Sequence, residues 1–140
     1  MSAPPASQDT LPVTFAAAVG CIDGRIHPAL TRFVVERHGV DAVDLVTEPG
    51  VDGALAAGAE DVLAGVLRRL APSRQAHAAR VVVVAGHEDC AAMPGDLDDH
   101  RRAIRAAVKR LREAVDDGLA VEGALVRLDG TVEDVTDATG

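Results

Sequence analysis

Four consecutive valines, Val81 to Val84, constrain the fold of this chain more than any other stretch. Arg80 precedes the run, and the run continues through Ala85 to Gly86. A short, continuous apolar segment that ends at a glycine is typical of a strand buried on both faces, as in a parallel sheet. We therefore expect a sheet with helices packed on both of its sides.

Strand-like and helix-like segments alternate through the rest of the chain. Besides the valine strand, strands are predicted at residues 12–20, 42–47 and 119–128, and a short returning strand at 131–135 after the turn signal Asp129-Gly130. Apolar residues recur at helical spacing from Leu30 to Gly39, from Leu55 to Leu70 before Pro72, and from the acidic residues 96–99 to Gly118. This order predicts an α/β fold with an open, mostly parallel sheet of about four strands and flanking helices.

Charge and length limit what the domain binds. The net charge of −8 and the lack of a basic patch exclude a nucleic-acid or anionic-membrane surface. The chain has no apolar run of 18 residues, and residues 1–11 have no secretory signal pattern. We expect these residues to be a disordered lead-in and residues 12–140 to form a single domain in the cytoplasm, where cysteines stay reduced.

Both cysteines of the chain and one histidine follow predicted strands. Cys21 comes directly after the first strand, and His87 and Cys90 follow the valine strand. Ligands bind beyond the carboxyl ends of the strands in such sheets, so the three side chains are expected to meet. Two thiolates and one imidazole suit zinc, with the fourth position open for water or a carboxylate, as in catalytic sites. A cysteine at a strand end is, on its own, more often a small buried apolar residue.

Other thiol chemistries fit less well. A phosphatase loop needs five residues between cysteine and arginine, and three separate Cys21 from Arg25. The chain has no Cys-x-x-Cys pair of the thioredoxin kind. Hydrolysis by a cysteine that His87 activates stays open, although it leaves the second cysteine without a role.

Several further residues follow the same strands. Asp23 is placed to reach the metal or a metal-bound water, and Arg25 to hold its carboxylate through two hydrogen bonds, although a surface ion pair in a turn is the simpler alternative. His27 is a weaker candidate, as a proton carrier. His38, His77 and His100 are expected at the surface. Candidates for the pocket or for contacts behind the ligands are Glu48, Gly50, Gly86 and Asp89.

The motifs Cys21-Ile-Asp23-Gly-Arg25 and His87-Glu-Asp-Cys90 resemble those of the β-class carbonic anhydrases. The resemblance extends from about Val13 to Val126. It implies that Cys21, His87 and Cys90 bind zinc and that Asp23 and Arg25 form a catalytic dyad. It further implies reversible hydration of carbon dioxide to bicarbonate by a zinc-bound hydroxide, in a homodimer or larger homo-oligomer. In some members of that family the aspartate itself occupies the fourth zinc position at rest.

The chain also departs from the family pattern. The residues after its second strand are Thr47-Glu48-Pro49-Gly50, where the family usually has Arg-Asn-Ala-Gly, and it has no counterpart of the family's N-terminal helical arm. Two alternatives therefore stay open. One is a zinc-stabilised binding or regulatory module without turnover, and the other is a zinc hydrolase of another small substrate, such as carbonyl sulfide or carbon disulfide.

Overall fold

The computed structural model describes residues 13–115 and 117–137. They contain one sheet with the strand order β2-β1-β3-β4-β5, in which the first four strands are parallel and β5 is antiparallel to β4. The α/β class and the mostly parallel sheet are confirmed, with five strands instead of about four because the short returning strand also pairs. The predicted lead-in at residues 1–11 lies outside the described residues. The strands are β1 Phe15–Gly20, β2 Ala42–Thr47, β3 Val81–His87, β4 Ala120–Val126 and β5 Val132–Asp134.

Within the described ranges, four helices cover the two faces of the sheet. They are α1 His27–His38, α2 Val51–Ala56, α3 Glu60–Gln75 and α4 Leu97–Ala114. Helices α2, α3 and α4 pack on the face that includes Val82 and Val84, whereas α1 packs on the face that includes Val83. All seven residues of β3 are buried, as the valine run predicts. None of the described helices combines the length and the apolar character needed to cross a bilayer.

The helix ends follow from local sequence. Pro28 lies in the first turn of α1, and Gly39 ends that helix in the left-handed conformation, with φ of 65°. At the start of α4, Asp96 accepts a hydrogen bond from Asp99 N–H while the Asp99 carboxylate accepts one from Asp96 N–H. This reciprocal capping box satisfies two backbone donors that the helix itself cannot pair.

Two predicted helix boundaries are wrong. The segment predicted as one helix is divided into α2 and α3, because Gly58 adopts a left-handed conformation with φ of 83° between them. Helix α3 also continues past Pro72 to Gln75, and the carbonyl of Pro72 accepts a hydrogen bond from Ala76 N–H at 2.8 Å. Pro72 has no N–H to donate to the preceding turn, but it lies in the last turn, so only three residues of the helix follow the hydrogen bond that it removes.

Candidate metal centre

The candidate metal centre lies at the carboxyl edge of the sheet, where β1 and β3 are neighbours. Cys21 directly follows Gly20, the last residue of β1, and His87 is the last residue of β3. The two strands are parallel, with Val19 paired to Val84, so both ends reach the same edge. Three residues after His87, the chain turns back and brings Cys90 to the same place.

The ligand atoms of Cys21, His87 and Cys90 all lie within 4.8 Å of one another. The two sulfur atoms are 3.9 Å apart, both cysteines are free, and all three residues are buried. His87 Nδ1 lies 2.7 Å from the carbonyl oxygen of Glu88, which favours the tautomer with the proton on Nδ1. His87 Nε2 is then the free ligand atom, and it is buried without a hydrogen-bond partner among the described residues. A buried, unpaired nitrogen beside two thiols fits a bound metal ion.

Backbone groups surround the two thiols. The N–H of Gly50 points to Cys21 Sγ at a distance of 3.5 Å. Burial raises the pKa of the Cys90 thiol, and the N–H groups of Met93 and Ala92 act in the opposite direction. Removing a thiol from water favours its neutral form, whereas nearby N–H donors favour the thiolate that a metal requires.

Asp23 is held by Arg25 and stands outside the group of three ligand atoms. Arg25 donates from Nε to Asp23 Oδ1 at 3.1 Å and from Nη2 to Asp23 Oδ2 at 2.7 Å, and its backbone N–H also donates to Oδ1. These hydrogen bonds hold the pKa of the Asp23 carboxyl well below its usual range. The predicted grip of Arg25 on Asp23 is therefore present in the structure, and its geometry is that of a paired side-on contact.

Arg25 also connects the two loops that carry the candidate ligands. Its Nη1 lies 3.2 Å from Asp89 Oδ2, and its Nη2 donates to the carbonyl oxygen of Asp89 at 3.2 Å. Asp89 has φ of 56°, a conformation that non-glycine residues seldom adopt. A single guanidinium thus links the loop after β1 to the loop after β3.

The remaining predicted residues have other partners. The carboxylate of Glu48 is 3.6 Å from Arg69 Nη1 and does not belong to the group of ligand atoms. His27 Nε2 lies 2.9 Å from the carbonyl oxygen of Cys21, so it supports the loop that holds the first ligand. Gly86 has no side chain to contribute, and the space beside it holds the carboxylate of Asp52.

Sequence reasoning missed a buried pair next to this centre. His100 is completely buried, whereas we predicted it at the surface, and its Nδ1 lies 2.8 Å from Asp52 Oδ2. A signal for its burial exists in the sequence, because His100 lies four residues before Ile104 on the apolar stripe of α4. His77 is exposed, as predicted, and contacts Asp44, whereas His38 is only partly exposed and contacts Glu122.

Comparison with known proteins agrees with this geometry. A family model described as "Putative carbonic anhydrase" matches residues 11–136. The structure of carbonic anhydrase from Streptococcus mutans is similar at 22% identity and a TM-score of 0.58, over 90% of this chain and 86% of that one. The structure of β-carbonic anhydrase isoform I from Trichomonas vaginalis is similar at 19% identity and a TM-score of 0.56, over 96% of this chain and 91% of that one. Carbonic anhydrase from Glaciozyma antarctica is similar at 16% identity and a TM-score of 0.60, over 90% of this chain and 85% of that one. Among curated protein sequences, no relative matches.

Proposed function

This chain belongs to the β-carbonic anhydrase family, and from that premise we propose that it catalyses the reversible hydration of carbon dioxide to bicarbonate with a bound zinc ion. One observation carries the proposal. The ligand atoms of Cys21, His87 and Cys90 converge within 4.8 Å at one edge of the sheet, and the Asp23–Arg25 pair belongs to the same loop as Cys21.

Three residues are proposed to hold the metal. Cys21 and Cys90 would bind zinc as thiolates, and His87 would bind through Nε2 while the carbonyl of Glu88 fixes its Nδ1 proton. A zinc ion held there would lower the pKa of a bound water towards neutrality and so supply a nucleophile at physiological pH. Three protein ligands leave a fourth position for that water, as in catalytic zinc sites.

Asp23 and Arg25 are proposed as the residues that orient the attacking water. Arg25 binds both oxygens of the Asp23 carboxylate, so the orientation of the carboxylate is fixed. A fixed acceptor would take the hydrogen bond of the water and leave an oxygen lone pair directed at the carbon of carbon dioxide. The hydrogen bond from Arg25 Nη2 to the backbone carbonyl oxygen of Asp89, which an Asp89→Asn change leaves in place, would keep this arrangement aligned with the loop after β3.

The test is carbon dioxide hydration, followed by stopped flow with a pH indicator on protein of measured zinc content. The informative variant is Asp23→Asn, which removes the negative charge and replaces one of the two acceptor oxygens of the carboxylate by an NH2 group. Asp89→Asn is its matched control, because Asp89 is an exposed carboxylate that also contacts Arg25. We expect Asp23→Asn to keep its zinc and to lose activity by about a hundredfold or more, whereas Asp89→Asn retains most of its activity.

Two results would contradict the proposal. Wild-type protein that holds one zinc per chain but does not hydrate carbon dioxide above the buffer rate would refute the proposed reaction. The substrate would then be another small electrophile, or the centre would have a non-catalytic role. Equal activity in the wild type and in Asp23→Asn would keep the reaction but remove Asp23 from it.

We also propose that the protein is a homodimer or larger homo-oligomer in the cytoplasm. Strand β2 is at the edge of the sheet, and five of its six residues are only partly buried, which leaves a pairing edge for another copy to cover. Two free thiols as ligands suit a reducing compartment. Light scattering after size-exclusion chromatography tests the assembly, and a monomer at micromolar concentration would contradict it.

A further inference from the structure

A buried polar pair lies directly behind the candidate metal centre. His100 Nδ1 and Asp52 Oδ2 are 2.8 Å apart, and their side chains are 0% and 3% exposed. His100 Nε2 is also buried, and it has no hydrogen-bond partner among the described residues. Burying such groups costs free energy that one hydrogen bond does not fully recover. Stability alone therefore does not explain why this pair is present.

The carboxylate of Asp52 occupies the space that Gly86 leaves open. A Cβ atom at position 86 would lie 2.3 Å from Asp52 Oδ2, closer than any real contact. Gly86 immediately precedes His87, and side chains alternate across a strand. The pair therefore packs against the backbone of β3, one residue away from the imidazole and on the opposite face of the sheet.

Helix α2, which carries Asp52, begins beside both thiols. Gly50 directly precedes α2, and its N–H points to Cys21 Sγ at 3.5 Å. Atoms of Ala92 lie 3.0 to 3.3 Å from the position of a Cβ at Gly50, and Met93 packs equally closely against Gly53. The backbone N–H groups of Ala92 and Met93 in turn favour the thiolate form of Cys90 by hydrogen bonding. The first turn of α2 thus contacts the surroundings of each sulfur.

We infer that the Asp52–His100 pair positions the first turn of α2 and thereby sets the hydrogen bonding of the two thiols that bind the metal. The inference rests on the proposed metal role of Cys21 and Cys90. Asp52 ties this six-residue helix to α4, a helix of 18 residues with a capping box and a buried apolar stripe. N–H groups directed at metal-bound sulfur withdraw electron density from it and so change metal affinity. Neither Asp52 nor His100 belongs to the group of ligand atoms, so both are positioning residues.

Cobalt substitution tests the inference without relying on turnover. Co²⁺ replaces zinc in each variant, the thiolate-to-cobalt charge-transfer band is recorded, and zinc affinity is measured by competition with a chelator. Asp52→Asn keeps an acceptor oxygen for His100 Nδ1–H, so we expect its band to match that of the wild type. The double variant Asp52→Leu/His100→Leu replaces both partners by apolar side chains and leaves no unpaired group that would prevent folding. We expect it to have a shifted band and a zinc affinity lower by about tenfold or more.

Two further variants complete the test. Val108→Ala removes packing on α4 about two turns beyond His100, so it controls for a general loss of stability and should leave the band unchanged. Gly86→Ala displaces the Asp52 carboxylate while both partners keep their identity, so it should shift the band in the same direction as the double variant.

The outcomes separate this inference from the proposed reaction. A double variant or a Gly86→Ala variant with the wild-type band and the wild-type zinc affinity would overturn the positioning role. A shift of the same size in Val108→Ala would also overturn it, because any loss of packing would then produce the effect. A wild type that binds zinc and Co²⁺ but does not hydrate carbon dioxide would remove the reaction and leave the positioning role intact.

Discussion

Replacing Gly86 by alanine is predicted to destabilise the protein although the backbone at this position suits any residue. The added Cβ would lie 2.3 Å from Asp52 Oδ2 and 3.0 Å from both Asp52 Cγ and Ile104 Cδ1. An ordinary van der Waals contact begins at 3.4 Å, so the carboxylate must retreat by about 1 Å. A displacement of that size disrupts its hydrogen bond to His100, which is 2.8 Å long.

The expected loss has two components. Forcing an extra methyl group into a packed core costs about 1–3 kcal/mol. Leaving the buried Asp52 and His100 groups without their hydrogen bond costs about 1–3 kcal/mol more. We therefore expect the free energy of unfolding to fall by about 2–6 kcal/mol, which is a large part of the stability of a typical small domain.

Urea unfolding followed by far-ultraviolet circular dichroism measures this loss. The chain has no tryptophan or tyrosine, so intrinsic fluorescence offers little signal. Free zinc and reductant are held constant, because ligand binding changes apparent stability. Gly65→Ala in α3 is the matched control, since the nearest atom to its Cβ is the flexible end of Arg69 at 3.5 Å. That variant should gain about 0.5–1 kcal/mol, because alanine favours a helix over glycine.

A double-mutant cycle identifies the group responsible. In an Asp52→Ala background the main obstacle is gone, so Gly86→Ala should cost about 1 kcal/mol or less, with only the Ile104 contact left. If Gly86→Ala costs as much in that background as in the wild type, the reasoning from the Asp52 contact is refuted.

Two further predictions concern metal binding and pH. Cys90→Ser should reduce bound zinc, measured by inductively coupled plasma mass spectrometry, from one per chain to a small fraction, because a serine hydroxyl is a poor zinc ligand; an undiminished zinc content would remove Cys90 from the site. Hydrogen bonding from Asp96 N–H lowers the pKa of Asp99 below 3.8, so the stability that its carboxylate provides is complete above the unfolded-state pKa and is lost as the pH falls through the folded one. The difference in urea midpoint between the wild type and Asp99→Asn should therefore shrink as the pH is lowered below about 4, and a constant difference would contradict this linkage.

The convergence of the three candidate ligands is predictable from the sequence because they lie at or just after strand ends. The valine run identifies β3 with little ambiguity, and Gly20 and Cys21 end another apolar segment. Once both segments are parallel neighbours, the convergence of Cys21, His87 and Cys90 follows from the direction of the strands. The grip of Arg25 on Asp23 was also predictable, because the two residues are two positions apart in one short loop.

Features that depend on distant segments were not predictable in the same way. His100 lies on the apolar stripe of α4, but it follows Asp98 and Asp99 and precedes two arginines, so its charged neighbours outweigh that signal and suggest an exposed position. Its burial depends on Asp52, 48 residues away, and on the space that Gly86 leaves. The role of Glu48 was similarly hidden, since its partner Arg69 lies on another element. Pairings of this kind are decided by tertiary packing, which a local pattern does not contain.

The candidate ligands lie at the ends of β1 and β3, and this placement has a consequence for biosynthesis. Cys21 and Cys90 are 69 positions apart, and the strand that brings them together lies between them in the chain. A nascent chain that has been synthesised only as far as α3 carries one of the two thiols and no part of the second loop. The site can therefore assemble only after β3 has been made and has paired with β1. Any metal ion that Cys21, His87 and Cys90 bind together would therefore be bound only after this long-range strand pair has closed.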